Sequence, residues 1–299
     1  PYTTLFRSSP ERAVNAFMHM VRYAKNKWLL METPRTMPRD LSYNHSLAEA
    51  IIDRALETEC HLLTETESKA ILSAYGIPVN PTEIANSPES AAAVAASLGF
   101  PVALKVLSRE ISHKTDVDGI RLDLNDEGEV KRAYEEILKS VSEELPQAQI
   151  EGVTVQTMVE NPDHELIVGA SFDRGFGPIL LFGAGGVAVN YLEDRAIELP
   201  PLNRLLARRF MEKTRIFKLL KGIRGMASAN LAQIEEILIR LSLLVTDFPE
   251  IRELDINPLV AKGDTIMAVD ARVVVAPKMV TAPLHLSISP YPNQYESNW

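Results

Sequence analysis

The spacing of apolar residues along this chain changes between a helical period of three to four residues and short alternating or continuous runs, which are typical of strands. The helical pattern predicts helices at residues 10–31, 47–57, 64–76, 88–98, 126–145, 202–212 and 229–246. The second pattern predicts strands at 82–85, 102–107, 119–124, 150–159, 165–173 and 177–181, followed by a hairpin over 251–274. Helices and strands that mix along the whole length indicate an α/β (α+β) fold.

Local signals mark where several of these helices begin and end. Residues 64–67 read TETE, a capping box in which a threonine and a glutamate three positions later satisfy each other's backbone N–H groups. Ser87 followed by Pro88 is expected to open the next helix, and Gly99 to end it.

The composition limits the classes of protein to which this chain can belong. Its 299 residues suffice for roughly two domains or one composite domain, and 46% hydrophobic residues can form a sizeable core. A formal charge of −9 argues against general binding of nucleic acid. A single cysteine, Cys60, excludes an internal disulfide, and no apolar run is long enough to cross a bilayer. We therefore expect a cytoplasmic protein that binds neither nucleic acid nor membrane.

Oxygen-bearing side chains are concentrated in the segment 253–261 (ELDINPLVA). Glu253, Asp255 and Asn257 alternate with apolar residues, so their side chains share one face of a strand. A Gly-Asp turn follows, and the returning strand is expected to bring Asp270 beside Asn257. Oxygen ligands on a rigid hairpin suit a hard cation such as Mg²⁺. The alternative is an ordinary hairpin with solvated acids on its outer face.

A lysine interrupts the apolar strand VALKVL at residues 102–107. Burying Lys105 is costly unless an anion meets it, and nucleotide phosphate is a natural anion. The alternative is a lysine at a sheet edge whose ammonium group reaches water.

The loop after this strand, HKTDVDG at 113–119, is polar and ends in a glycine. Together, Lys105, this loop and the ELDINP…AVDAR hairpin resemble the ATP-grasp module of the ADP-forming acyl-CoA synthetases. The β subunits of succinyl-CoA synthetase are similar here. The resemblance runs from about residue 64 to residue 277 and includes QTMVE (156–160), FGAGG (182–186) and a helical stretch at 205–225. Several separate motifs in the right order carry it, and none of them would do so alone.

The resemblance implies an ATP-grasp domain of two lobes over residues 46–277. Lobe one is expected at about 78–150, and lobe two at about 151–277 together with the helix at 64–76. The FGAGG glycines are expected to lie near the active site, with a tight turn that binds no ligand as the alternative.

The two ends of the chain are expected to lie outside this domain. The first nine residues look like a translated sequencing adapter, and the helix at 10–31 resembles the C-terminal helix of the CoA-ligase-like domain that precedes ATP-grasp in fused synthetases. Residues 1–45 are therefore expected to combine a non-native start, this tail helix and a linker. Residues 278–299 are proline-rich and are expected to form a linker or tail, which in the family often leads to a GNAT acetyltransferase domain.

The resemblance also implies how ATP and Mg²⁺ would be bound. Lys105 would contact the α- and β-phosphates as a point charge, and Asn257 with Asp270 would hold the Mg²⁺ that bridges the phosphates. Asp255 and Glu253 would support these ligands or hold a second metal, with solvated acids as the alternative.

Backbone groups complete the implied nucleotide site. The backbone near Met158 and Val159 would meet the adenine edge, and Glu160 would meet the nucleoside end. The family usually has V-G-G after the HK[ST]D loop, where glycines let backbone amides approach phosphate. This chain keeps Gly119 but has Asp118 in place of the first glycine. Asp118 would either weaken ATP binding or face solvent.

The loop residue His113 carries the implied chemistry. In the family, the histidine of this loop relays phosphate, since imidazole is a neutral nucleophile near pH 7 and leaves readily once protonated. Asp116 could orient the ring, and Lys114 could stabilise incoming phosphate. A solvated loop histidine is the alternative, and the other histidines are interpreted as structural.

The implied function is the phosphoryl-transferring part of an ADP-forming acyl-CoA synthetase of the acetate–CoA ligase type. A short-chain acid, CoA and ATP would yield acyl-CoA, ADP and phosphate. CoA would be bound mainly by a CoA-ligase domain in the same chain or in a partner subunit, and an oligomer is expected. A ligand-sensing, non-catalytic module of a protein lysine acetyltransferase is the main alternative. A biotin- or peptide-ligase type of ATP-grasp enzyme is a weaker one, since such enzymes lack the HKTD loop.

Overall fold

The computed structural model describes residues 9–31, 41–111, 114–186, 194–222 and 228–277. His113, the first eight residues and the predicted tail at 278–299 lie outside the described residues, as does most of the predicted linker. The chain divides into two compact units, Pro1–Thr36 and Met37–Trp299.

The described part of the first unit is a helix, α1 (Pro10–Met31), which confirms the helix predicted there. Its large apolar side chains are exposed: Val14, Phe17, Met18, Met20, Val21 and Tyr23. No helix among the described residues is long and apolar enough to span a membrane.

The second unit mixes helices and strands, which confirms the α/β (α+β) prediction. Its helices are α2 (His45–Glu57), α3 (Glu65–Ala74), α4 (Pro88–Leu98), α5 (Glu127–Glu144), α6 (Arg204–Glu212), α7 (Ile216–Leu220) and α8 (Leu231–Asp247). Its strands are β1 (Thr82–Ala85), β2 (Val102–Leu107), β3 (Ile120–Leu124), β4 (Gly152–Thr157), β5 (His164–Asp173), β6 (Gly177–Ala184), β7 (Arg195–Glu198), β8 (Ile251–Lys262), β9 (Thr265–Ala268) and β10 (Ala271–Val275). Every predicted element is present within a few residues of its predicted bounds. Helix α7 lies within the stretch 205–225 that was expected to be helical, and only β7 had not been predicted.

Four strands of the described chain form an antiparallel sheet in the order β1-β4-β2-β3. Helices α4 and α5 cover one face of it, and the shared apolar core includes Val102, Leu104 and Val106 of β2. All six residues of β2 are buried. Lys105 lies on the opposite face of the strand, where Glu65 of α3 meets it.

The other sheet of the described chain has the order β10-β8-β5-β6-β7, with β9 also paired to β8. Its core contains residues of β5, β6, β8 and β10 and the apolar faces of α2, α3, α6 and α8. Ile71 and Leu72 of α3 are fully buried in this core. Helix α3 is therefore anchored to the second sheet while its first turn faces the first sheet.

The first turn of α3 has the predicted capping box. The Thr64 side chain accepts a hydrogen bond from the Glu67 N–H, and Glu67 Oε2 accepts one from the Thr64 N–H at 2.9 Å. This cap fixes the N-terminus of the helix, where the helix dipole favours carboxylates. It also places the Glu65 side chain toward β2.

The predicted hairpin forms around β8. A two-residue turn joins β8 to β9, with Lys262 opposite Thr265 and Gly263 in the left-handed region at φ +56°. The chain then returns along the first half of β8 as β10. The Asn257 N–H donates to the Asp270 carbonyl at 3.3 Å, so the hairpin brings these two residues together as predicted.

Candidate active site

A cavity of about 330 Å³ lies where the first turn of α3, the end of β2, the loop before β3 and the β8–β10 hairpin meet. Four of the predicted site residues line it: Lys114, Asp255, Asn257 and Asp270. Glu65, Thr115 and Arg272 also line it, although the sequence had not singled them out as site residues. The structure thus brings Lys114 and Thr115 of the HKTD loop together with the acidic hairpin, although the two lie about 140 residues apart in the sequence.

Lys105 is a buried lysine with two carboxylate partners. Its Nζ donates to Glu65 Oε1 at 3.1 Å and to Asp270 Oδ2 at 3.0 Å, and the residue is only 5% exposed. Burial by itself lowers the pKa of Lys105, but the charges of Glu65 and Asp270 outweigh it and raise this pKa. The alternative of an edge lysine in contact with water was therefore wrong. The anions that meet Lys105 here are carboxylates, and both of them line the cavity.

Glu65 is a site residue that the sequence analysis missed, because its segment was interpreted only as a helix cap. Its Oε1 lies 3.0 Å from Lys69 Nζ and 3.1 Å from Lys105 Nζ, and its Oε2 lies 2.6 Å from Lys114 Nζ. The Gln156 amide also donates to Oε1. Burial alone raises the pKa of Glu65, but the three lysines outweigh it and hold this pKa far below the ordinary value. Glu65 is therefore an anion at neutral pH.

Lys69 completes a buried charge cluster, defined here as Lys69, Lys105, Lys114, Glu65 and Asp270. The Lys69 ammonium group also donates to three neutral oxygens: Asn80 Oδ1 at 2.8 Å, Thr82 Oγ1 at 2.9 Å and Gln156 Oε1 at 3.3 Å. Three lysines face two carboxylates in this cluster, so it carries an excess of one positive charge next to the cavity. Such an excess in a partly dry site favours an anionic ligand.

The titration of Lys69 should be visible in the stability of the chain. Burial lowers the pKa of Lys69 from 10.5 to about 8, and Lys105 adds to this shift while Glu65 opposes it. Between these two pH values the unfolded chain binds more protons than the folded chain, so stability rises with pH in that window. Below it the lysine is protonated in both states and the penalty is fully present.

Relative to a Lys69→Met variant, the wild-type chain should therefore gain about 2 kcal/mol of unfolding free energy between about pH 8 and pH 10. Urea denaturation of both chains at several pH values in this range measures the difference. If the difference between the two chains is independent of pH, Lys69 does not titrate with a depressed pKa.

The acidic hairpin offers oxygen ligands for a hard cation. Asp255, Asn257 and Asp270 all line the cavity, and a carboxylate–amide donor set without sulfur fits Mg²⁺. The described residues contain no cluster of three or more His, Cys, Asp and Glu side chains that could bind a metal. Burial and the nearby Glu253 raise the pKa of Asp255, although Arg272 opposes the shift.

Arg272 lies opposite Asp255 in the pairing of β10 with β8. Its guanidinium group lies 3.2 Å from Glu253 Oε1 and contributes a further positive charge at the cavity. Glu253 itself does not line the cavity. It therefore acts here as the partner of Arg272.

The described part of the HKTD loop closes on itself. The Gly119 N–H donates to the Lys114 carbonyl at 2.8 Å, and the Asp118 N–H donates to the Thr115 carbonyl at 3.3 Å. A Cβ at Gly119 would lie 2.6 Å from Val106 Cγ1, so this glycine is required by packing against β2. Neither Gly119 nor the exposed Asp116 lines the cavity.

Asp118, the departure from the family pattern, faces away from the cavity. It has a left-handed backbone at φ +51°, and its carboxylate accepts two hydrogen bonds from the Arg121 guanidinium group, both at 2.9 Å. Ser140 of α5 donates to the same carboxylate at 3.2 Å. Of the two predicted outcomes, the structure therefore supports a solvent-facing Asp118 whose charge is compensated by Arg121.

Residues 158–160 connect the two sheets, because β4 belongs to one and β5 to the other. The sequence analysis had placed the boundary between the lobes earlier, at about residue 150, whereas β4 pairs with the strands of the first sheet. The Met158 N–H donates to the Pro101 carbonyl at 3.2 Å, and the Glu160 carbonyl accepts from Lys262. Met158, Val159 and Glu160 do not line the cavity described here.

The FGAGG glycines are explained by close backbone packing. A Cβ at Gly183 would lie 2.2 Å from the Asp194 carbonyl oxygen, and one at Gly185 would lie 2.5 Å from the Leu166 backbone. Close packing therefore accounts for Gly183 and Gly185 without a ligand, and Phe182 to Ala184 belong to β6 and not to a tight turn.

Comparison with known proteins agrees with this arrangement. A family model described as an ATP-grasp domain matches residues 54–275. The β subunit of acetate–CoA ligase [ADP-forming] I from Pyrococcus furiosus is 33% identical over 228 residues, which cover 76% of this chain and 97% of that subunit. The chain belongs to the ATP-grasp family of ADP-forming CoA ligases. The resemblance stated from Lys105, the HKTD loop and the acidic hairpin is therefore confirmed, together with the ATP-grasp fold.

Two further relatives of this ATP-grasp chain are informative. Acetate–CoA ligase [ADP-forming] I from Archaeoglobus fulgidus is 37% identical over 266 residues, which cover 89% of the chain but only 38% of that ligase. Acetyl-CoA synthetase 1 from Ca. Korarchaeum cryptofilum, solved with coenzyme A and Mg-AMPPCP and with its phosphohistidine segment pointing towards the nucleotide site, superimposes with a TM-score of 0.68. That match has 34% identity and covers 77% of this chain and 100% of the solved one.

Proposed function

We propose that this chain is the ATP-binding, phosphoryl-transferring part of an ADP-forming acyl-CoA synthetase. In the complete reaction a short-chain acid such as acetate, CoA and ATP give acyl-CoA, ADP and phosphate. The observation that carries this proposal is the buried charge cluster, because it places an excess positive charge beside oxygen ligands on one cavity. A polyphosphate with a bound divalent cation has the complementary charges.

Binding of Mg-ATP is assigned to the residues around the cavity. Lys105 and Lys114 attract the phosphates, while Asn257 and Asp270 are the proposed metal ligands, with Asp255 beside them. Mg²⁺ bound there would neutralise phosphate charge. Gly119 and the backbone at Met158 and Val159, with Glu160, are proposed to meet the rest of the nucleotide. Glu65 and Asp270 line the cavity, and Lys105 contacts them from the side away from it. Lys105 can therefore contact a phosphate in the cavity only if these two side chains move.

Phosphoryl transfer is assigned to His113. A ring nitrogen of His113 forms a bond to the γ-phosphorus of ATP as the bond from this phosphorus to the β,γ-bridging oxygen breaks, and ADP leaves. His113 directly precedes Lys114, whose ammonium group lines the cavity and can hold the transferred group by charge. Asp116 is proposed to orient the imidazole ring. The phosphoryl group then passes to a second histidine in the CoA-ligase part and from there to the acid, whose acyl group is transferred to CoA while phosphate leaves.

CoA and the acid are proposed to bind mainly to a CoA-ligase domain in the same chain or in a partner subunit. Both arrangements are supported by the relatives, because this chain matches almost a complete β subunit in one and about a third of a longer ligase in the other. Helix α1 is proposed to be the tail of such a domain, and an oligomer in the cytoplasm is the proposed state. A following GNAT domain is compatible with this arrangement.

The proposal predicts that the purified chain becomes labelled by γ-³²P-ATP and Mg²⁺ on histidine. The label should survive base and be lost in acid, because phosphohistidine is acid-labile. His113→Ala is the control, and it should bind Mg-ATP with unchanged affinity in calorimetry while it takes up no base-stable label.

Two outcomes would contradict the proposal. Undiminished label in the His113→Ala chain would assign the phosphoryl group to another residue. A wild-type chain that binds Mg-ATP but stays unlabelled, also when a CoA-binding α subunit of a related synthetase is added, would favour the ligand-sensing alternative.

A further inference from the structure

Glu65 connects three separate parts of the chain through one carboxylate. Lys69 lies one turn further along α3, Lys105 is in the middle of β2, and Lys114 begins the described part of the HKTD loop. All three ammonium nitrogens lie within 3.1 Å of a Glu65 oxygen. The Glu65 side chain is 1% exposed, whereas that of Asp270, the other carboxylate of the cluster, is 33% exposed.

The position of Glu65 is fixed by contacts that do not involve the HKTD loop. Helix α3 is anchored by Ile71 and Leu72 in the core of the second sheet, and the capping box fixes its first turn. Lys105 and Lys114 belong to the other sheet and to the loop before β3. Glu65 therefore links Lys114, the first described residue of the HKTD loop, to a helix that is anchored in the second sheet.

Contacts at the two ends of the described loop segment show what Glu65 controls. At one end, Gly119 is packed against β2 and donates to the Lys114 carbonyl. At the other end, Lys114 Nζ lies 2.6 Å from Glu65 Oε2. The contact from Lys114 to Glu65 is the only side-chain hydrogen bond from residues 114–117 to the rest of the described chain.

We propose that Glu65 is a positioning residue for phosphoryl transfer, which acts by holding Lys114, and with it the HKTD loop, at a fixed place relative to Lys105. This inference rests on the proposed function. Glu65 carries a negative charge beside a site for an anion, so it adds nothing to the attraction of phosphate. Its contribution lies in the orientation of the loop, where a misplacement of about 1 Å can slow a reaction about 100-fold.

Glu65→Gln tests this inference, because glutamine keeps the size of the side chain but loses the charge that holds three lysines. The matched control is Glu67→Gln, two residues away on the same turn. Glu67 pairs with Arg109 at 2.8 and 3.0 Å and does not contact Lys114, and glutamine at this position also supports a capping box. Glu65→Asp restores the charge on a shorter side chain. Circular dichroism of each variant checks its fold.

Three quantities are measured on each full chain: the Kd for Mg-ATP, the rate of histidine labelling by γ-³²P-ATP, and the reactivity of the Lys114 amine towards an amine-selective ester, read by mass spectrometry. Glu65→Gln should label about 100-fold more slowly with little change in Kd, and its Lys114 should react about tenfold faster. Glu65→Asp should recover part of the labelling rate. Glu67→Gln should resemble the wild type in all three quantities.

Two results would overturn the inference. One is an unchanged labelling rate and Lys114 reactivity in Glu65→Gln. The other is a loss of Mg-ATP binding that accounts for the whole fall in labelling, which would make Glu65 a general structural residue. If the wild-type chain binds Mg-ATP but is never labelled, the proposed function fails, and the Lys114 reactivity alone then decides whether Glu65 positions the loop. If Glu65→Gln does not fold, the same three quantities are measured on Glu65→Asp, whose labelling rate should lie below that of the wild type.

Discussion

A chain with Lys105→Met is expected to lose Mg-ATP binding by about 100-fold or more and to unfold at a clearly lower urea concentration. Lys105 compensates the charges of Glu65 and Asp270, and both of these carboxylates line the cavity. Without Lys105, the proposed contact of its ammonium group with the phosphates is lost, and Asp270 faces them without the lysine that compensates its charge. The lost charge-assisted contacts are each worth about 1.5–3 kcal/mol.

Stability should fall together with binding in this variant, since removal of one partner from a buried ion pair costs about 3–5 kcal/mol. Lys69→Met is the matched control, because Lys69 is equally buried and contacts the same Glu65 oxygen but makes no hydrogen bond to Asp270. It should lower the midpoint of urea unfolding while Mg-ATP binding, measured by calorimetry, largely persists. If both variants lose binding to the same extent, the loss reflects collapse of the cluster and not a specific role of Lys105.

The sequence predicted the elements well, because their apolar spacing is a local property. The one element that it missed, β7, has four residues, which is too few for a period to be recognised. The capping box of α3 and the Gly-Asp turn of the hairpin were predicted for the same reason. Their geometry depends on residues three or fewer positions apart.

The partners within the site could not be predicted in this way. Glu65 and Lys105 are separated by 40 positions and Lys105 and Asp270 by 165, and nothing in a single sequence states that they meet. The segment around Glu65 already had a sufficient explanation as a helix cap, so its second role was hidden. The sequence did contain one signal: a glutamate is followed four residues later by a lysine on a helix that is otherwise largely buried. Two charges on a buried face require partners, so this pair indicated further charged residues nearby.

Asp118 is a second residue whose contacts could not be predicted from the sequence. Its sequence context suggested a negative charge beside phosphate, but its side-chain direction depends on Arg121 and on Ser140 of a later helix. The left-handed backbone at this position explains why the family pattern has glycine there, and it also turns the side chain of this chain away from the cavity.

Asp270→Asn is expected to remove most of the dependence of ATP binding on Mg²⁺. Asp270 lines the cavity beside Asn257 and also pairs with Lys105 at 3.0 Å, so it is placed to hold a cation while it stays within reach of the phosphate-binding lysine. Asparagine keeps the shape of the side chain but loses the negative charge that a divalent cation requires.

In calorimetry with and without Mg²⁺, the affinity of the variant for Mg-ATP should fall roughly 100-fold, because even the outer partners of metal ligands are worth 10- to 100-fold in metal affinity. Its affinity for ATP without metal should fall little or rise, since a negative charge beside the phosphates has been removed. Asp255→Asn is the matched control on the same cavity, and its effect should be smaller because Asp255 is proposed to lie beside the metal ligands Asn257 and Asp270 and not to be the main ligand itself. An equal loss in both variants would assign the metal to the pair of carboxylates, and an unchanged Mg²⁺ dependence in Asp270→Asn would show that the hairpin does not hold the metal.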